Sequence, residues 1–137
     1  MPDTAPLTSP TTSLGERDAM ALARGLGWFS IGLGLAEVLA PHALARGLGM
    51  PARAGLLRAY GVREIGAGIG ALTARDPTPW IQARAAGDAL DLATLAAAYP
   101  GNRRRGAVLL AVAAVLGATL LDAACADALA RGRARRR

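Results

Sequence analysis

Lysine is missing from this chain: all 16 basic residues are arginine. With the excess of alanine, that points to genome composition bias before any chemistry. Aromatic residues make up only 4% of the sequence, which disfavours a nucleic-acid-binding surface built on base stacking. One cysteine, Cys125, excludes an internal disulfide and leaves the redox compartment undetermined. It lies among alanines and reads as a packed thiol. One histidine, His42, follows Pro41 in a turn and has no second His or Cys with which to hold a metal. No Ser/His/Asp set, phosphate-cradling loop or Cys/His metal spacing is present. The sequence therefore nominates no catalytic residue, no metal site and no cofactor. Strand-type alternation of Val, Ile and aromatics is also lacking.

What remains is Ala, Leu and Gly, which supply most of a 53% hydrophobic content over 137 residues. Ala and Leu are strong helix formers, and the length suits one domain. The expected fold class is all-α. Residues 1–18, rich in Pro, Thr and Ser, carry no basic stretch ahead of an apolar run. They read as a disordered leader and not as a signal peptide. Four apolar segments follow, at about 19–40, 54–74, 80–99 and 106–126, and residues 128–137 form a polybasic tail. Each segment is close to the ~20 residues that cross a ~30 Å hydrocarbon layer. Prolines fall between the segments and not inside them, which favours unbroken helices. Trp80 and Tyr99 bracket the third as interfacial aromatics do, and "HALARGLGM" is short and mixed enough to lie along a membrane surface. The expectation is a four-helix transmembrane bundle.

Charge qualifies that reading. The fourth segment has none before Asp122, but the second holds Arg58, Arg63 and Glu64 and the third Arg84, Asp88 and Asp91. A charge at the centre of an isolated spanning helix costs roughly 2.5–3.5 kcal/mol. Arg24, Glu37 and Arg58 lie near enough to span ends to snorkel, and Asp122 near enough to reach interfacial water. A soluble basic helical bundle is therefore an alternative, although the fourth segment lacks the broad polar stripe a soluble helix needs. The net charge of +6 is concentrated in the tail, with five arginines in the last seven residues, and in Arg103–Arg105. Such a tail suits a bilayer with anionic headgroups, or fixes orientation as a solvated end. The flanking arginines bias both termini slightly towards the cytoplasm.

Helical periodicity of ~100° per residue puts Arg84, Asp88 and Asp91 in one stripe. It also aligns Arg63 with Gly66 and Gly70, a small-residue face that admits another backbone. Glu64 points elsewhere, beside Gly61 and Gly68. On the first helix Glu37 shares a face with Ser30 and Gly34. Ionisable groups within spans usually pair in the bundle interior, so Arg63 and Arg84 are expected to be shared among Glu64, Asp88 and Asp91. Arg84 and Asp88 have the i, i+4 spacing of a helical ion pair. Such a cluster either fixes helix register, in a structural or interaction protein with a protein partner or a second copy, or serves a small transporter or lipid-binding protein through Asp88, Asp91 and Glu64. Asp88 and Asp91 could ligate a divalent metal, but the sequence offers no evident third oxygen and places an arginine alongside. "GDALD" does not reproduce the longer Asp/Gly pattern of membrane enzymes that join alcohols to activated lipids.

The segments "ARGLGWFSIGLGLAEVLAP", "RAYGVREIGAGIGALT" and "WIQARAAGDALDLATL" together resemble a group of small bacterial integral membrane proteins of uncharacterised function. Some relatives are associated with polyketide-cyclase/dehydrase-type lipid-binding domains. The resemblance spans about residues 20–125, most specifically Gly-Trp-Phe-Ser at 27–30, Arg-Glu-Ile-Gly at 63–66 and Gly-Asp-Ala-Leu-Asp-Leu at 87–92. It implies a multi-pass protein of the bacterial inner membrane and adds no activity. A 137-residue chain has no room for a cyclase domain as well.

Overall fold

The computed structural model describes residues 15–135 and is all-helical across them. Five α-helices follow in order: α1 (Glu16–Leu39), α2 (Pro41–Gly47), α3 (Ala54–Thr73), α4 (Thr78–Ala98) and α5 (Arg105–Ala134). A single 3-10 turn, Pro51–Arg53, leads into α3. Most of the leader expected at 1–18, and the last two tail residues, lie outside the described residues. The short helix α2 occupies the mixed stretch between the first two segments, so the count is four long helices and one short one. The fourth long helix also runs past the expected end of its segment: α5 continues to Ala134 and takes in most of the basic tail.

Proline and glycine set the boundaries. Pro41 lacks an N–H to continue α1 and starts α2 at a position where none is needed. Gly49 and Gly101 have φ of +69° and +72°, a left-handed backbone that glycine adopts without steric cost. Gly49 also packs directly against the Asn102 side chain. Asn102 donates from Nδ2 to the carbonyls of Leu48 (2.9 Å) and Ala98 (3.1 Å) and accepts from the Arg104 N–H (2.7 Å). One side chain thus ties the α4–α5 turn to the end of α2.

The long helices associate as two intimate pairs, α1 with α3 and α4 with α5. The first pair is built on glycine at seven-residue spacing. A Cβ on Gly34 would lie 2.5 Å from the Gly61 carbonyl oxygen, and one on Gly61 would lie 2.6 Å from that of Gly34. Gly68 meets the Gly27 carbonyl oxygen at 2.6 Å in the same way. Two antiparallel backbones therefore touch at both ends of a two-turn stretch, with Ser30 between them. The glycine face expected on α3 is corrected here. Gly66 looks into open space, and Gly70 receives the indole of Trp80 from α4, not another helix backbone. Four-residue spacing drew attention to Gly66 and Gly70, but the face turned towards α1 is the one carrying Gly61 and Gly68.

Apolar side chains are distributed unusually. Two small buried clusters close the ends, one around Ala19, Ala23, Ile81 and Cys125, the other around Ala45, Leu57, Leu95 and Val108. Cys125 is a packed thiol there, with its Sγ 3.4 Å from the Ala19 carbonyl oxygen. Between them the largest fully buried side chain is Arg84, and Asp122 is also at 0% exposure. Outside, Leu110, Leu120 and Leu39 are more than 70% exposed and Trp28 is 63% exposed. Helices α1 and α5 are long and apolar enough to cross a membrane. By the same measure α3 and α4 fall short, because they carry the charges.

Candidate functional site

The site is assembled from the middle of four helices. Glu64 on α3 is its hub. Arg84 Nη1 on α4 donates to Glu64 Oε2 at 3.0 Å, and Arg63 Nη2 donates to Oε1 at 2.9 Å. The Ser30 hydroxyl on α1 donates to the Glu64 carboxylate and lies 2.9 Å from its main-chain carbonyl oxygen. Ser30 can reach that carbonyl because glycines on both sides bring the α1 and α3 backbones together. The packing face and the polar site are therefore one construction.

Each arginine bridges two helices. Arg84 extends from Glu64 to α5, where its Nε donates to Asp122 Oδ1 at 3.1 Å. Arg63 extends to α4, donating to Asp91 Oδ2 at 2.9 Å and to the Gly87 carbonyl oxygen at 3.1 Å. Gly87 leaves room for that reach: a Cβ there would lie 2.6 Å from the Arg63 guanidinium carbon, and the guanidinium would have to shift. The sequence motif drew attention to the acids of "GDALD", while its glycine makes the slot for the opposing arginine. The Tyr60 and Phe29 rings lie against the guanidiniums of Arg63 and Arg84, at 5.0 and 6.0 Å.

Arg63, Glu64, Arg84, Asp88 and Asp91 thus come together in one region, but their pairing differs from that expected. Arg84 does not pair with Asp88 one turn along its own helix. It turns outward to Glu64 and Asp122, which are equally buried and come from other helices. Asp122 is not an interfacial group; it is sealed inside and belongs to the cluster. Its place was hidden because α5 extends further than the apolar run suggested, so Asp122 is well inside the helix. Asp88, only 6% exposed, accepts from the Thr119 hydroxyl at 2.8 Å. Among the described residues neither Asp88 nor Glu37 has an ion-pair partner.

The charge does not balance. Glu37, Glu64, Asp88, Asp91 and Asp122 face Arg63 and Arg84. Counting Arg53, which reaches the Thr94 carbonyl oxygen at 3.3 Å, still leaves an acid excess. Glu37 Oε2, Asp91 Oδ1 and Asp122 Oδ2 are buried without a hydrogen-bond partner, as is Arg63 Nε. An unsatisfied buried polar atom costs about 1–3 kcal/mol, more when charged. The third oxygen that the sequence did not reveal is supplied by Glu64: ligand atoms of Glu64, Asp88 and Asp91 lie within 4.8 Å of one another. Glu64 and Asp91, however, already serve guanidinium groups.

These carboxylates form the floor of a cavity of about 280 Å³. Glu37, Glu64, Arg84, Asp88 and Asp91 line its polar end. Its walls are aliphatic, including Leu33 from α1, Leu44 from α2, Leu57 from α3 and Ala111, Ala114 and Val115 from α5. Exposed Phe29, Leu33 and Ala114 stand at its rim, so it opens between α1 and α5. Comparison of the chain with protein-family models, curated proteins and solved structures finds no match.

Proposed function

We propose that the protein is an integral membrane bundle in which all four long helices cross the bilayer and the arginine–carboxylate network holds them in register. The supporting observation is the inverted distribution of polarity. Arg84, Glu64, Asp88 and Asp122 are buried, while leucines along α1 and α5 are exposed. In water this arrangement would desolvate charge and hydrate hydrocarbon, both at a cost. In a bilayer the leucines meet lipid, and charges on α3 and α4 that would disqualify an isolated span are turned inward and paired. Arg133 supports the placement of the basic end beyond the apolar zone. It pairs with Asp76 in the α3–α4 turn and donates to the Thr78 hydroxyl at 3.0 Å.

Membrane fractionation tests the proposal. The protein is expected to resist carbonate washing and to leave the membrane only with detergent. Release by carbonate would show that the helices are not spans. On this reading it resides in the bacterial inner membrane as a multi-pass protein with both termini cytoplasmic, and cysteine-accessibility labelling of a residue added at each end checks the orientation.

The cavity favours a second reading alongside the first, that of a small transporter or lipid-binding protein. Asp88 and Glu37 line the cavity and pair with no arginine, the Thr119 hydroxyl being the hydrogen-bond partner of Asp88, so a network that only fixed register has little need of their charge. Neutralising Asp88 separates the two roles. A purely architectural Asp88 requires its charge for folded yield, whereas a ligand-facing Asp88 does not.

A further inference from the structure

Resting on the reading of the cavity as a ligand site, we propose that it binds a monovalent organic cation with an apolar body, a lipophilic ammonium, with Asp88 and Glu37 as its counter-ions. Three independent features of the cavity converge on that class.

The first is charge. The polar end presents Glu37, Glu64, Asp88 and Asp91 against a single lining arginine, Arg84. Asp88 is more than nine-tenths buried, lines the cavity and has no cationic partner among the described residues. Glu37 Oε2 is buried there with no hydrogen-bond partner. An anionic or zwitterionic headgroup would place further negative charge beside these acids.

The second is the wall. Most of the lining is Leu, Met, Val and Ala, contributed by all five helices and by Leu48 and Met50 just after α2. A hydrated metal ion gains nothing from hydrocarbon walls, while an alkyl or aryl group is held by them. A divalent metal on Glu64, Asp88 and Asp91 would also compete with Arg63 and Arg84 for oxygens they already occupy. The third is aromatic placement. Phe29 and Tyr60, two of the five aromatic residues in the chain, both line this cavity. Each ring already lies against a guanidinium, Tyr60 with Arg63 and Phe29 with Arg84, and a quaternary ammonium at the polar end would be drawn to them through the same ring quadrupole. The opening between α1 and α5 provides entry from the side, where an amphiphile dissolved in the bilayer would approach.

The test is calorimetric titration of the full chain in detergent micelles with benzyltrimethylammonium chloride. Neopentylbenzene serves as the uncharged carbon isostere, and calcium chloride as the metal probe. Saturable one-to-one binding of the ammonium, with none of the isostere or calcium, is expected. Asp88→Asn is expected to weaken it by about tenfold or more, and Ala114→Trp, which fills the cavity from α5 without touching the network, to abolish it. Equal affinity for the isostere, saturation by calcium in place of the ammonium, or unchanged affinity in Asp88→Asn each overturns the inference. If Asp88→Asn does not fold, Ala114→Trp decides alone, and retained binding there overturns it. Carbonate-resistant, monodisperse protein that binds no ammonium defeats this inference and leaves the membrane proposal standing.

Discussion

The α1–α3 interface and the space between α1 and α5 use similar residues to opposite ends. Where α1 meets α3, Gly27 and Gly34 face Gly68 and Gly61, the two backbones touch, and Ser30 is left at 0% exposure. Where α1 faces α5 across the middle of the bundle, Ala111, Ala114 and Val115 stand opposite Phe29 and Leu33 with a cavity between them. Alanine and glycine are both small, but only glycine lets two helix backbones come into contact. With close packing on one side and open space on the other, the charged network forms at the boundary. Glu64 and Glu37 belong to both regions.

Removing the arginine that joins the halves should have the largest effect. Arg84→Met leaves Asp122 as a buried charge without an ion-pair partner and Glu64 with Arg63 alone, and is expected to cost about 3–5 kcal/mol. Thermal unfolding in detergent, followed by circular dichroism, reads this out. A variant as stable as wild type would mean that Arg84 does not hold the halves together.

Two glycine substitutions on the closely packed pair sharpen the comparison. Gly34→Ala places a Cβ against the Gly61 carbonyl and is expected to lower stability by about 1–3 kcal/mol. Gly66→Ala, with open space at the site, is expected to raise it by up to about 1 kcal/mol through helix propensity. Identical shifts in the two melting temperatures would show that the seven-residue glycine face is not what joins α1 to α3.

Ser30→Ala should follow, at about 1 kcal/mol for the lost buried hydrogen bond. Its further signature is weakened coupling between α1 and Glu64. In a double-mutant cycle with Glu64→Gln the two losses are expected to be less than additive, and strict additivity would place Ser30 outside the network.

The smallest effect concerns the bundle end. Burial, the largest single influence on the Asp76 carboxyl, pushes its pKa up. The Thr78 side chain and N–H together with Arg133 outweigh it, leaving the pKa below its ordinary value of 3.8. A lowered folded-state pKa means that the contribution is present above the unfolded value and disappears as pH falls through the folded one. The exposed pair is worth under about 1 kcal/mol. Asp76→Asn should therefore lower stability slightly at neutral pH and not at all in strong acid. A deficit that is the same at both pH values would remove the ion pair as its cause.

Much of this architecture is legible in one dimension. The proline and arginine breaks mark the four long helices, because a residue without an N–H and a run of like charge both end an apolar helix. The gathering of Arg63, Glu64, Arg84, Asp88 and Asp91 could be anticipated, because charges isolated among alanines have no inexpensive place except against one another. Asp122 was harder to place. Its position late in an apolar run resembles a span end, and only the length of α5 puts it inside. Gly61, Gly68 and Gly87 carried a signal in their positions, but several glycine periodicities coexist on α3 and α4. Which one is used depends on which neighbour arrives.

By itself, then, the sequence determined the helices, their order and the presence of a polar core among hydrocarbon, since these follow from local propensity and from the cost of unpaired charge. Which acid each arginine serves was decided by the tertiary structure, as was the existence of the cavity that Asp88 lines. Arg84 has an acid one turn away on its own helix, yet pairs with two from other helices. That choice depends on the distance between backbones, which the glycines of α1 and α3 set only once the helices have met.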